Sequence, residues 1–242
     1  MPAGGHGRAG MNGMDNLITE AFSNLDRLLR PSSVAQIGGF RPLDFSIASW
    51  FGGTGVGLPG ESLPTFQGER MFPLLQVNVT ELPYVPPQLE KAKLFVVFLN
   101  PSEIPFGKPH GEGWLIREYD ALDLLVPLPP PSETPLVRPF PIKWHLHTND
   151  PPGWETAGSL IDMSVLYESA EAEKLFFEKY QGIPDTKIGG YPYEIQHGNF
   201  GKNEFVFQIG SEEKPRWMWA DNGIGYFLKD TQGNWKFECQ FY

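Results

Sequence analysis

Glycine and proline interrupt this chain so often that long helices cannot account for it. The 27 Gly and 24 Pro make up about one residue in five of the 242, against about one in eight in an average protein. Glycine reaches positive φ, and proline fixes φ while removing a donor, so both end regular elements. A mainly helical protein is excluded. The 18 Phe, 8 Tyr and 7 Trp suit pleated, half-buried surfaces instead. The strongest strand is Leu94-Phe95-Val96-Val97-Phe98-Leu99, an apolar run stopped by Asn100-Pro101. It is short, β-branched and aromatic, which separates it from a buried helix segment.

Further strands are expected at residues 46–50, 72–79, 114–119, 139–147, 205–209, 224–228 and 235–241. One helix is expected from Asp15 or Asn16 up to Pro31, because Leu17, Ile18, Phe22, Leu25, Leu28 and Leu29 recur at helical spacing. A second is expected within residues 163–181, started by Ser164 or Ser169 and stopped by Gly182, with Leu166, Ala170, Phe177 and Tyr180 inward. Residues 1–14 read as a disordered tail, and the proline run 127–135 as a connector. The expectation is an α+β fold: mixed or antiparallel sheets from two weakly similar halves, packed with two substantial helices into one domain over residues 15–242.

A faint internal echo supports the two halves. Phe51-Gly52-Gly53 leads to Leu75-Gln76-Val77 and then to the strand beginning at Leu94. Ile188-Gly189-Gly190 leads to Phe207-Gln208-Ile209 and then to the strand beginning at Ile224. The half-repeats span about residues 50–126 and 187–241. Gln76 and Gln208 interrupt apolar strands and therefore need partners. Either they bond loop backbone, or they form the polar floor of a pocket where the halves meet.

The same residues carry a family resemblance. The chain resembles the YwqG-like family, a bacterial domain family of unknown function, over residues 49–241. The marks are Phe51-Gly52-Gly53, Pro73-Leu74-Leu75-Gln76-Val77-Asn78, Ile188-Gly189-Gly190-Tyr191-Pro192, Phe207-Gln208-Ile209 and Trp217-Met218-Trp219-Ala220-Asp221-Asn222-Gly223. The family more often has Gly at the place of Ala220. The resemblance implies an α+β fold of two related halves and supplies no catalytic residues. Some relatives resemble components of toxin–immunity neighbourhoods, which implies protein binding.

Charge narrows the partners. Nineteen Lys and Arg against 29 Asp and Glu give a formal charge of -10, which repels phosphate backbones, so nucleic acid is not an expected partner. No run approaches the roughly 20 apolar residues of a membrane span, and no membrane partner is expected. The single cysteine, Cys239, makes no internal disulfide, so a cytoplasmic location is expected; it reads as a small hydrophobe, not a nucleophile.

Chemistry-bearing motifs are sparse. In Trp217-Met218-Trp219-Ala220-Asp221-Asn222-Gly223, alternation sends both indoles to one face, and Asp221-Asn222-Gly223 reads as a turn. His145 and His147 share a face if their segment is a strand; with Asp150 or another carboxylate they are weak metal candidates, and His197 is a more distant one. The glycine-rich stretch 52–60 lacks the Gly-Lys-Ser/Thr ending of a phosphate loop. No cofactor is expected, and no motif calls for an enzyme. The leading expectation is a non-catalytic binding protein of immunity-like kind with a protein partner. Its candidate residues are Gln76, Gln208, Trp217, Trp219, Asp221 and Asn222. The alternative is a small-molecule module, or an enzyme without a recognised motif, with a cleft between the halves where Gln76, Gln208, Asp221 and a histidine converge.

Overall fold

The structure, a computed structural model, describes residues 7–42, 46–129, 136–196 and 200–242. Residues 1–6 of the expected tail, residues 130–135 of the connector and His197 lie outside the described residues. In chain order the elements are α1 (Gly7–Asp26), β1 (Arg30–Ile37), β2 (Trp50–Phe51), β3 (Val56–Gly57), β4 (Thr65–Phe66), β5 (Glu69–Arg70), β6 (Phe72–Asn78), β7 (Leu94–Leu99), β8 (Trp114–Tyr119), β9 (Val126–Pro127) and β10 (Phe140–Asp150). There follow α2 (Trp154–Leu160), α3 (Ser164–Tyr167), α4 (Ala170–Lys179), β11 (Lys187–Gly189), β12 (Glu204–Gly210), β13 (Ile224–Lys229) and β14 (Trp235–Gln240). The fold is α+β.

Ten strands form one sheet in the order β14-β13-β12-β11-β1-β10-β2-β6-β7-β8, and every neighbouring pair is antiparallel. β3 with β9, and β4 with β5, make two small ribbons. The sheet turns back on itself, so that its two ends pack face to face. Phe95 of β7 meets Phe207 of β12 at 5.1 Å between ring centroids, and Trp114 of β8 meets Phe237 of β14 at 5.6 Å. This interior is the main core. All six residues of β7 are buried because both of its faces are covered. Phe95, Val97 and Leu99 enter the main core, while Leu94, Val96 and Phe98 pack under Val56, Leu63, Met71 and Leu128.

Three expectations change. The first helix starts at Gly7 and stops at Asp26, well before Pro31. Leu28 N–H closes a tight turn onto Leu25 O, and the chain enters β1, the central strand, which was not expected. Pro31 is tolerated there because it sits at the register shift between Arg30 and Ser32. The second helix is two pieces. The Ser169 hydroxyl accepts from Ala172 N–H and starts α4 afresh, which resets the helical phase. Ala172 and Phe176 now face inward together with the expected Leu166 and Tyr180, while Ala170 and Phe177 are exposed in place of the expected burial. The additional helix α2 also packs here, and all four helices share one core with Leu25, Ala157, Leu166 and Phe176. Asp26 ties α1 to α4 by accepting from Lys179 Nζ at 2.8 Å and Tyr180 Oη at 2.7 Å. These bonds hold its pKa below the usual carboxylate value. No helix among the described residues is long and apolar enough to cross a membrane.

Candidate functional site

The two expected glutamines do the same work in different halves. Gln76 Nε2 donates to Ser46 O and Ala48 O, four and two residues before Trp50, its cross-strand partner. Gln208 Nε2 donates to Ile183 O and Asp185 O, four and two residues before Lys187, its own partner. Two residues beyond each glutamine, Asn78 N–H donates to Ser49 Oγ and Gly210 N–H donates to Thr186 Oγ1. Ser49 O accepts from Ile142 N–H on β10, and Thr186 O accepts from Ala35 N–H on β1. Each glutamine thus anchors the loop that enters its own short strand. They do not converge. Gln76 lines a small pocket of about 380 Å³ with Trp50, Gly52, Gly53 and Pro139, inside the first half.

The second Gly-Gly turn is the more constrained. Asp150, at the end of β10, is buried, and its Oδ2 accepts from Lys187 Nζ at 2.6 Å and from Tyr191 N–H at 2.9 Å. Burial pushes the Lys187 pKa down, and the Asp150 charge opposes that shift. A Cβ on Gly190 would lie 1.9 Å from Asp150 Oδ2, at φ +71°, so only glycine fits this position. Tyr191 Oη donates to Leu28 O at 2.8 Å, and the Arg30 guanidinium lies 4.3 Å over its ring. The turn forms one wall of a cleft of about 760 Å³. The facing wall, Tyr84 to Gln88, comes from the first half and is held by Ser33 Oγ, which donates to Tyr84 O and accepts from Tyr84 N–H. Gln88 Nε2 donates to Glu204, while Gln88 Oε1 is buried without a partner.

On the other side of residues 192–196 lies a second groove, of about 820 Å³. α2 and α4 supply Trp154, Phe176, Phe177 and Tyr180, and the carboxylates of Glu155 and Glu194 stand at its edge. Glu194 fixes the start of α2 by accepting from Thr156 Oγ1 at 2.5 Å. Trp154 contacts Tyr167 at 5.0 Å and Phe177 at 5.2 Å between ring centroids. Tyr167 is 56% exposed and Phe177 52%, so these two rings flank the half-buried Trp154 in an aromatic stripe whose ends are open to solvent. Six carboxylates lie along these helices and their turns (Glu155, Asp162, Glu168, Glu171, Glu173 and Glu178) against only Lys174 and Lys179.

The remaining expected residues lie apart from these two clefts. Trp219 is fully buried, and Trp217 is half-buried against Phe72. As alternation predicted, their rings meet, at 4.9 Å. Neither forms an exposed patch. Asp221 and Asn222 are exposed in a turn where Ala220 has φ 44° and Asn222 φ 49°. Glycine adopts that left-handed backbone without the strain that Ala220 carries. His145 Nε2 contacts Gln36 Oε1 at 2.7 Å on the exposed side of β10, and His147 is half-buried nearby. Asp150 is engaged by Lys187 instead, and no cluster of three metal-ligating side chains occurs among the described residues. Cys239 is half-buried in β14, and burial pushes its thiol up to about 12. The aromatic stripe was missed because Phe177 was assigned inward and the segment of Trp154, following Pro-Pro-Gly, carries no helical periodicity. The adjacent Phe176-Phe177 pair was the one available signal, since neighbours on a helix point about 100° apart and one of them falls at the edge of an apolar face.

A family model described as a domain of unknown function, DUF1963, matches residues 49–233. No curated protein matches the chain.

Proposed function

This chain belongs to the DUF1963 family of domains of unknown function, and we propose that it is a non-catalytic module that binds another protein through its helical face. The observation that carries the reading is the stripe Tyr167–Trp154–Phe177, exposed at Tyr167 and Phe177 and set among carboxylates. Exposed, contiguous aromatic surface is the usual mark of an interface, and Tyr and Trp dominate binding hot spots. The excess negative charge favours a basic partner. The Gly189-Gly190-Tyr191-Pro192 motif supports a YwqG-like assignment, and an immunity-like role in a bacterial cytoplasm rests on that assignment. The recurring glutamine bonds of the two halves support an origin by duplication.

A second reading has its own observation. The 760 Å³ cleft between the halves carries the exposed Arg30 and the orphaned Gln88 Oε1, and its size suits a small molecule. Native mass spectrometry of the chain, purified gently from its host, separates the two. The first reading predicts a second, different protein chain in the spectrum, lost in a Tyr167→Glu/Phe177→Glu variant whose circular dichroism is unchanged. A small-molecule mass retained by both forms would favour the cleft. Bare protomers, or dimers of this chain alone, would contradict the proposal.

A further inference from the structure

We infer that the pocket beside the first Gly-Gly turn binds a neutral ligand that presents one N–H donor on a ring-sized apolar body; this site is independent of the helical face. Its cavity of about 380 Å³ falls at the small end of ligand pockets. Trp50, Pro127 and Pro139 supply apolar walls, and no charged side chain lines it among the described residues. The buried polar side chain in its lining is Gln76, which is 2% exposed. Gln76 Nε2 donates to Ser46 O and Ala48 O, and no described residue donates to Oε1. Unlike the orphaned Gln88 Oε1, this oxygen is not sealed from solvent. An amide oxygen accepts up to two hydrogen bonds, so the pocket holds an acceptor ready for a donor.

The second half fills the equivalent place with its own chain. Gln76 stands opposite Trp50, two residues before Gly52-Gly53, and Gln208 stands opposite Lys187, two residues before Gly189-Gly190. All four glycines have positive φ. Gln208 makes the same pair of Nε2 bonds, and its Oε1 accepts from Tyr193 N–H at 2.9 Å. Tyr193 lies four positions past Gly189, directly after Pro192, and packs against Ile224, Tyr226 and Leu228. Four positions past Gly52 the first half has Val56 instead. That residue pairs with Pro127 in the β3–β9 ribbon and buries its side chain under β7. The segment that would close the first pocket is thus diverted, leaving the acceptor and the apolar walls for a ligand. A flat ring suits the Trp50 wall.

The test is a titration of the full chain followed by the NMR signal of the Trp50 indole N–H, assigned with Trp50→Phe. Benzamide serves as the free small molecule, and acetyl-Pro-Tyr-dimethylamide as a peptide segment patterned on Pro192-Tyr193. Their controls, N,N-dimethylbenzamide and the N-methyl-tyrosine peptide, keep the rings and lack the N–H. The expected result is a saturable shift in the millimolar range with at least one probe, and binding about tenfold weaker with its control, the worth of one hydrogen bond. Whichever probe saturates identifies the source of the N–H. Thr54→Trp, at an exposed position of the lining, blocks the pocket and abolishes the shift, with circular dichroism verifying the fold. The Tyr167→Glu/Phe177→Glu variant binds as the parent does. Silence of both probes, controls that bind equally, or binding untouched by Thr54→Trp would overturn the inference. Loss of the shift in Tyr167→Glu/Phe177→Glu would assign the binding to the helical face and overturn it too. If mass spectrometry shows no partner while a probe saturates, the binding face falls and this site stands.

Discussion

Asp150 gathers two donors on one carboxylate oxygen and leaves the other without a partner. Its pair with Lys187 is fully buried, so each charge depends on the other. Removing one partner of such a pair typically costs about 3–5 kcal/mol, because the survivor stays desolvated. Asp150→Asn is expected to lower the urea midpoint by a corresponding amount, and adding Lys187→Met to recover most of it. The sign of the pH effect also follows. The folded pKa of Lys187, already depressed, falls further without Asp150, while the unfolded value stays near 10.4. Between those values the unfolded chain binds more protons, so stability of Asp150→Asn rises with pH, more steeply than in the parent. Equal midpoints for parent and Asp150→Asn would sink this account. None of this was legible in the sequence. Nothing local distinguishes Lys187 from a surface lysine, since its partner lies 37 positions away. The glutamines were legible as buried groups in need of partners, because each breaks an apolar strand.

β7, covered on both faces, and β8, at the sheet edge, were the easiest elements to read. β7 and β8 begin and end where the apolar patterns place them, at Leu94–Leu99 and Trp114–Tyr119. β1 was the hardest. It opens Arg-Pro-Ser-Ser, and of its two buried serines Ser33 exchanges hydrogen bonds with Tyr84, far along the chain, while Ser32 Oγ is buried without a partner. Yet β1 alone joins the half-sheet ending in β14 to the half-sheet ending in β8. It also lies outside the family match, which starts at residue 49. A chain cut to residues 49–242 is therefore expected to lose cooperative thermal unfolding by circular dichroism. A chain starting at residue 29 keeps β1 and loses only α1, so it retains one transition at a lower Tm. A cooperative transition in the shorter chain, at the parent Tm, would refute the central role of β1.

Across the whole molecule, the two sheet ends close over one core and each half anchors its entry loop with a glutamine. The helices then form a layer of their own. The class was legible from turn frequency and strand pattern. The proposed binding face was not, because exposure depends on the helical phase that Ser169 resets. The expected indoles are where the pattern put them, side by side, but within the core. The central claim is that the stripe of Tyr167, Trp154 and Phe177 meets a protein partner. Its most direct test is photo-crosslinking in the native host, with benzoylphenylalanine at Phe177 in one strain and at Met218 in another. These positions are 52% and 59% exposed, so reagent access is matched. A discrete crosslinked species from position 177 and none from 218 is the predicted result. The same species from both positions, or one from 218 alone, would contradict it.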